Sequence, residues 1–231
     1  MDLGTLWYLT LATLLVSGAM TLWERKASAL RSRELGVWAM GFVTLATGCL
    51  IATQRGLFPA HLGSALTNIV MLAGYLFVLQ GIVSFDRRYR YSWSVSVVAL
   101  AGLVWGFGGS AMTATFWHYV SSFPIAAITG LSAYALYRGR SFRGLRTRPL
   151  AVAVFAFHSG FYLARALIMP VVVAHFGNDL LTVFAKATML EGVLFSVAMP
   201  MSLIALVREE YQASLLETSR TDHLTGLSNR R

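Results

Sequence analysis

Three ionisable side chains stand inside apolar runs of the sequence: Arg165, Lys186 and Glu191. A charge within a bilayer is costly and is kept where it pairs or binds something. Counted inward from the outer ends of their runs at about 1.5 Å per helical residue, Arg165 is expected ~13 Å deep, Lys186 ~10 Å and Glu191 ~18 Å. His158, Tyr162 and Arg165 are spaced i, i+4, i+7 and share one helix face. Two cations against one anion would leave positive charge for a carboxylate or another anionic or lipid-like amphiphile. An internal salt bridge that only fixes helix packing fits the same residues, because buried ions need partners with or without a ligand. Lys186 and Glu191 are five residues apart and do not share a face, so Arg165 is the expected partner of Glu191.

The histidines offer a second constellation. His61, His118 and His175 follow one another at equal intervals of 57 residues, each at the outer end of an apolar run. Ser84-Phe85 and Ser141-Phe142 repeat the same interval. Three neutral imidazoles converging outside the membrane could hold zinc or copper, or one could ligate haem. Interfacial histidines also serve as plain membrane anchors. The single cysteine, Cys49, leaves no disulfide framework and no cysteine-based zinc site.

These residues need apolar helices to carry them. The chain is 56% hydrophobic and 13% charged, with a mean hydropathy of +0.62; a soluble domain has about 25% charged residues. Runs at 3–23, 35–53, 63–85, 92–112, 116–137, 149–174 and 180–207 each approach the ~20 apolar residues a spanning helix needs. The expected fold is an all-α membrane protein, a bundle of about seven transmembrane helices. Only Thr113-Ala114-Thr115 separates the fourth and fifth runs, so one re-entrant element is the alternative there. Gly102, Gly106, Gly108 and Gly109 in the fourth run read as sites of close helix packing.

The net charge of +9 is concentrated in alternate loops. Arg25, Lys26, Arg31 and Arg33 occupy the first, Arg87, Arg88 and Arg90 the third, and Arg138, Arg140, Arg143, Arg146 and Arg148 the fifth; the intervening loops carry only Arg55. Cytoplasmic loops are enriched in Lys and Arg, which puts the N-terminus outside and the C-terminus in the cytoplasm. The basic balance thus reflects topology and contact with the lipid bilayer rather than nucleic acid. Met1 and Asp2 form no basic leader before the first run.

The seventh run continues past Val207 without Pro or Gly until Gly226, so one helix can pass from bilayer into cytoplasm. Ile204, Val207, Tyr211, Ser214 and Thr218 alternate at three- and four-residue spacings. They make a short polar heptad seam suited to a homodimer through the last helix; a solvated linker is the plainer reading. The chain then ends in Thr221-Asp222-His223-Leu224-Thr225-Gly226-Leu227-Ser228-Asn229-Arg230-Arg231. This stretch resembles the opening pattern T-D-x-L-T-G-L-x-N-R-R of GGDEF-type diguanylate cyclase domains. The G-G-D/E-E-F run with the family's metal-binding and catalytic residues is not in these 231 residues.

The resemblance implies a parent protein of the bacterial inner membrane that condenses two GTP into cyclic di-GMP with Mg2+ through paired output domains. In that family the Asp and terminal Arg of this segment help fix the output domain to its input helix; Asp222 and Arg231 hold those positions here. The expected organisation is a seven-helix sensor over 1–207, a signalling helix over 208–220 and the first residues of an output domain over 221–231. The chain itself would carry no catalytic residue. A transporter or channel-like protein with a chance tail match, and a metal or haem sensor, are the competing classes.

Overall fold

The computed structural model describes residues 2–28, 30–86, 92–112, 119–177 and 179–220. Among them are seven α-helices and no strand: α1 (Leu3–Ala27), α2 (Ser32–Thr53), α3 (Ala60–Ser84), α4 (Ser92–Gly102), α5 (Ser122–Arg138), α6 (Arg148–Phe176) and α7 (Asp179–Arg220). Helices are the expected outcome, since in lipid every backbone N–H and C=O must be satisfied within its own segment. Five of them, α1, α2, α3, α6 and α7, are long and apolar enough to cross a bilayer. The protein has the character of a multi-pass membrane protein.

The fourth and fifth runs differ from the expectation of simple spans. α4 stops after 11 residues and passes into a π-helical turn over Leu103–Phe107 and a 3-10 turn over Gly109–Ala111. Glycine is a poor helix former, and four glycines fall in this stretch. Two of them do not serve close packing, since a Cβ at Gly102 or Gly106 would meet nothing within 4 Å, whereas one at Gly108 would stand 3.2 Å from Met112 and Gly109 is buried. α5 has 17 residues and begins only at Ser122.

Helix neighbours run in a circuit. α1 packs on α2, α2 on α3, α3 on α5, α5 on α6, α6 on α7, and α7 back on α1; α4 packs on α3 beside this ring. The closest seam is α2 against α3, where a Cβ at Gly74 would stand 2.6 Å from Leu45 and one at Gly48 2.7 Å from Met71. At Gly81 the Trp38 indole already occupies that space. Small residues let backbones approach where no water drives helices together. The approach brings Trp38 Nε1–H to the Val78 carbonyl at 3.2 Å.

The polarity runs inside out. Leu15, Val16, Leu167, Val183 and Leu194 are exposed on the helix surfaces, whereas Thr10, Gln80, Thr129, His158, Glu191 and Ser202 are buried. With lipid as solvent, apolar side chains lose nothing by facing outward and polar ones need interior partners. The equal spacing of Ser84-Phe85 and Ser141-Phe142 has a structural counterpart: the two phenylalanine rings meet at 4.8 Å. Ser141 Oγ donates to the Phe85 carbonyl at 3.0 Å, and Asp86 accepts from the backbone N–H of Arg140 and Ser141 at 2.9 and 2.8 Å.

α7 is one helix of 42 residues with Pro200 inside it. Proline cannot donate to the carbonyl four residues back, here Ser196. That carbonyl instead accepts from Ser17 Oγ of α1 at 3.3 Å, and Ser196 Oγ lies 2.6 Å from Thr13 Oγ1. The break in the ladder is thus repaired from the neighbouring helix.

Candidate functional site

The centre of the site is a chain of three polar side chains from three helices. Tyr75 of α3, His158 of α6 and Glu191 of α7 are 8%, 0% and 6% exposed. Tyr75 Oη lies 3.0 Å from His158 Nε2, and His158 Nδ1 lies 2.7 Å from Glu191 Oε1. The arrangement that satisfies both ring nitrogens has the Tyr75 hydroxyl donating to Nε2 and Nδ1–H donating to Glu191. His158 is fixed by its neighbours: Phe195 stacks on it at 3.6 Å and Tyr162 tilts against it at 4.7 Å. Each neighbour stands four residues from a chain member on its own helix, Tyr162 from His158 and Phe195 from Glu191, so helix geometry supplies the support.

The carboxylate is only half used. Glu191 Oε2 is buried and has no hydrogen-bond partner among the described residues. Chemically the cluster can relay a proton between tyrosine hydroxyl, imidazole and carboxyl, or present one oxygen to a hydrogen-bonding guest.

His158, Tyr162 and Glu191 are brought together as the residue types suggested, but the pairing differs. Glu191 bonds His158, and no ion pair with Arg165 occurs among the described residues. Depth counting from helix ends treated the outer ends of α6 and α7 as level. His158 stands 18 residues from Phe176 and Glu191 12 from Asp179, so contact between them requires the two helices to be offset by about 9 Å. Arg165 lies two turns beyond His158 on α6, its guanidinium 6.0 Å from the Tyr162 ring. Arg55, in the turn between α2 and α3, donates from Nε to Thr67 Oγ1 at 3.4 Å. Crowding of its head by protein, and then the like charge of Arg165, hold the Arg55 pKa below its ordinary value. These two cations form a positive mouth at the end of the bundle that carries the α2–α3 turn.

Lys186 is exposed on the surface of α7 and does not join the cluster. One helix cannot present residues five apart to the same neighbour. Of the outer histidines, His61 is partly buried, while His175 is exposed and its Nδ1 stands 2.9 Å from the Val171 carbonyl of its own helix. His118 lies outside the described residues. No group of three potential metal ligands forms among the described residues.

A second cluster, which sequence reasoning did not single out, grips α7 where it leaves the apolar zone. Three consecutive residues hold three different elements. Arg208 donates from Nη2 to Glu24 of α1 at 2.7 Å. Glu209 accepts from the backbone N–H of Arg146 and Thr147 at 2.6 and 2.9 Å and from the Thr147 hydroxyl at 2.7 Å, so it caps the N-terminus of α6. Glu210 receives a two-pronged bond from Arg31, which precedes α2, at 2.8 and 2.5 Å. Arg31 also lies 4.2 Å over the Phe85 ring. Burial by itself would raise the Glu209 pKa, but the bonds from Arg146 and Thr147 outweigh it and lower the pKa. The bond to Glu210 raises that of Arg31.

This collar changes the reading of the heptad seam. Val207 is 1% exposed inside the bundle core, so it is committed to the bundle and closed to a second copy of the chain. Ile204 is partly buried, Tyr211 is exposed and Ser214 is partly buried. The side chain of Thr218, with Asp222 and Arg231 of the tail, lies outside the described residues. Comparison with protein-family models, curated proteins and solved structures gives no match.

Proposed function

We propose that the chain is the membrane sensor of a signalling protein whose output is a diguanylate cyclase, controlled through dimeric movement of the last helix. In this reading the protein spans the bacterial inner membrane seven times, with the N-terminus outside and 208–231 in the cytoplasm. The parent protein would use GTP and Mg2+ in an output domain that follows residue 231.

The observation that carries the reading is the build of α7. One continuous helix holds Glu191 of the buried cluster, Pro200, the collar residues Arg208, Glu209 and Glu210, and the exposed turns that lead to the tail. A change at Glu191 therefore has a mechanical route outward. Proline leaves a point at which a helix bends, and the collar below it has discrete contacts to make or break. Movement there would change the approach of two copies along Tyr211, Ser214 and Thr218, and so of their output domains.

The test uses the full-length protein in membrane vesicles, with cyclic di-GMP synthesis from GTP as the readout. Tyr211→Pro interrupts the helix below the collar, and the output should no longer respond to variants of the buried cluster such as Glu191→Gln. If Tyr211→Pro leaves that response intact, transmission through α7 is wrong. A parent reading frame with no G-G-D/E-E-F run in the domain after residue 231 would remove the cyclase assignment altogether.

A further inference from the structure

Between α6 and α7 an apolar cleft of about 250 Å3 opens to the bilayer side of the bundle, lined by Ala153, Phe157, Leu194, Phe195 and Ala198, with Glu191 as its one ionisable group. Phe157 and Leu194, at 67% and 62% exposure, form its lipid-facing lips. The chain directions place Glu191 at the outer end, because Ala153 and Phe157 precede His158 on α6 and Leu194 to Ala198 follow Glu191 on the antiparallel α7. From the cleft, we propose that the protein takes up a neutral amphiphile from the bilayer core, seating its aliphatic chain in the cleft and a hydroxyl-bearing head against Glu191 Oε2.

Two independent observations meet here. One is the cleft, apolar along its length and continuous with lipid. The other is Glu191 itself, a lining residue that is 6% exposed, bonded to His158 through Oε1 and with Oε2 buried in the cleft wall without a hydrogen-bond partner among the described residues, so a turn of the side chain brings that oxygen to the guest. A buried polar atom without a partner is unfavourable, and a guest that bonds it gains what the protein lacks.

The chemistry narrows the head. A hydroxyl both donates and accepts, so it satisfies Oε2 whether the carboxyl group is ionised or protonated. A carboxylate head would meet the Glu191 charge with no cation in the cleft lining; Arg55 and Arg165 belong to the positive mouth. An ammonium head would have to shed its hydration in an apolar cleft to reach one oxygen already shared with an imidazole. A volume near 250 Å3 admits a ring or short chain and not a phospholipid headgroup with two tails. Bilayer-dissolved hydroquinones and long-chain alcohols are the two sources of such a head.

This inference deepens the sensor reading by naming the class of its input, but binding can be measured without any output domain. The probes are decylhydroquinone under argon, 1-decanol, decanoate and decyltrimethylammonium, each added to this chain in a non-ionic detergent. Adducts are counted by native mass spectrometry and checked by the shift in thermal midpoint. The hydroxyl probes should bind about tenfold more tightly than the two ions of equal chain length, the worth of one good hydrogen bond.

Preference for decylhydroquinone over decanol assigns an aromatic head between Phe157 and Phe195; equal binding assigns an alcohol. Ala198→Leu and Ala153→Leu fill the cleft from opposite walls without touching Glu191 or His158, and each should cost at least tenfold in binding. Equal binding of all four probes to the wild type means an ordinary groove for lipid tails and overturns the proposal, as does unchanged binding in either folded variant. In the full-length protein, tight hydroxyl binding without a change in cyclic di-GMP output would sink the sensor reading and leave the site.

Discussion

α7 carries two polar clusters about 27 Å apart along its axis at 1.5 Å per residue, one around Glu191 and one at Arg208 to Glu210. Both join a carboxylate to a basic partner on another helix, yet their surroundings differ. His158 is 0% exposed and the Glu191 side chain 7%, and no water lies within the bilayer to replace a lost partner. In the collar, the Arg208 side chain is 59% exposed, and Arg31 and Glu210 are 16% and 20% exposed. The first cluster therefore has few alternatives once disturbed, whereas the second can exchange its bonds for water at small cost. A rigid grip and a releasable one on the same helix are what the proposed transmission through α7 would use.

The comparison is broken most severely by His158→Leu, which strands the Glu191 carboxyl group in the core. The expected loss is about 3–5 kcal/mol, read as a fall in the unfolding midpoint in detergent, and adding Glu191→Leu should restore much of it because two apolar side chains need no partner. A smaller loss in the single variant than in the double would mean that the pair is not the buried unit described.

Glu210→Ala removes the fork from Arg31 but leaves that guanidinium on the Phe85 ring and near water. A loss of about 1–2 kcal/mol is expected, intermediate between surface and buried pairs, and it should shrink in high salt. Equality with the His158 effect would erase the distinction between the two grips.

Tyr75→Phe keeps the ring and deletes the bond to Nε2, for about 1 kcal/mol. Its double-mutant cycle with His158→Leu should show coupling, whereas a cycle with Glu210→Ala should be additive.

The smallest effect concerns pH. Glu209 has a lowered folded pKa, so its contribution is full above the ordinary carboxyl value of 4.5 and is lost as pH falls through the folded value. Stability of wild type should drop on acidification below about 4.5 relative to Glu209→Gln, and parallel curves would show that the cap on α6 is not made by the ionised group.

Much of this was legible from residue types. Apolar runs and Pro/Gly punctuation gave the long helices, and the cost of charge in lipid drew attention to Glu191 and, through helix spacing, to His158 and Tyr162. The pairing was not legible, because it depends on the height of α6 against α7, and sequence has no term for the offset between two helices. Tyr75 carried no signal to separate it from other aromatic residues in α3. The collar was hidden because Arg208, Glu209 and Glu210 look like any charged turn beyond a span until their partners, 62 or more residues away in Glu24, Arg31, Arg146 and Thr147, are seen.

By itself the sequence determined that this chain is all-helical, apolar on its outside and polar at a few interior points, since the bilayer leaves the backbone no other choice and each residue meets that constraint locally. Tertiary structure alone decided which polar points meet, that Val207 faces the core rather than a second copy, and that Glu191 bonds His158 through one oxygen while the other has no hydrogen-bond partner among the described residues. Those outcomes rest on the relative height and rotation of packed helices, which many distant contacts set together.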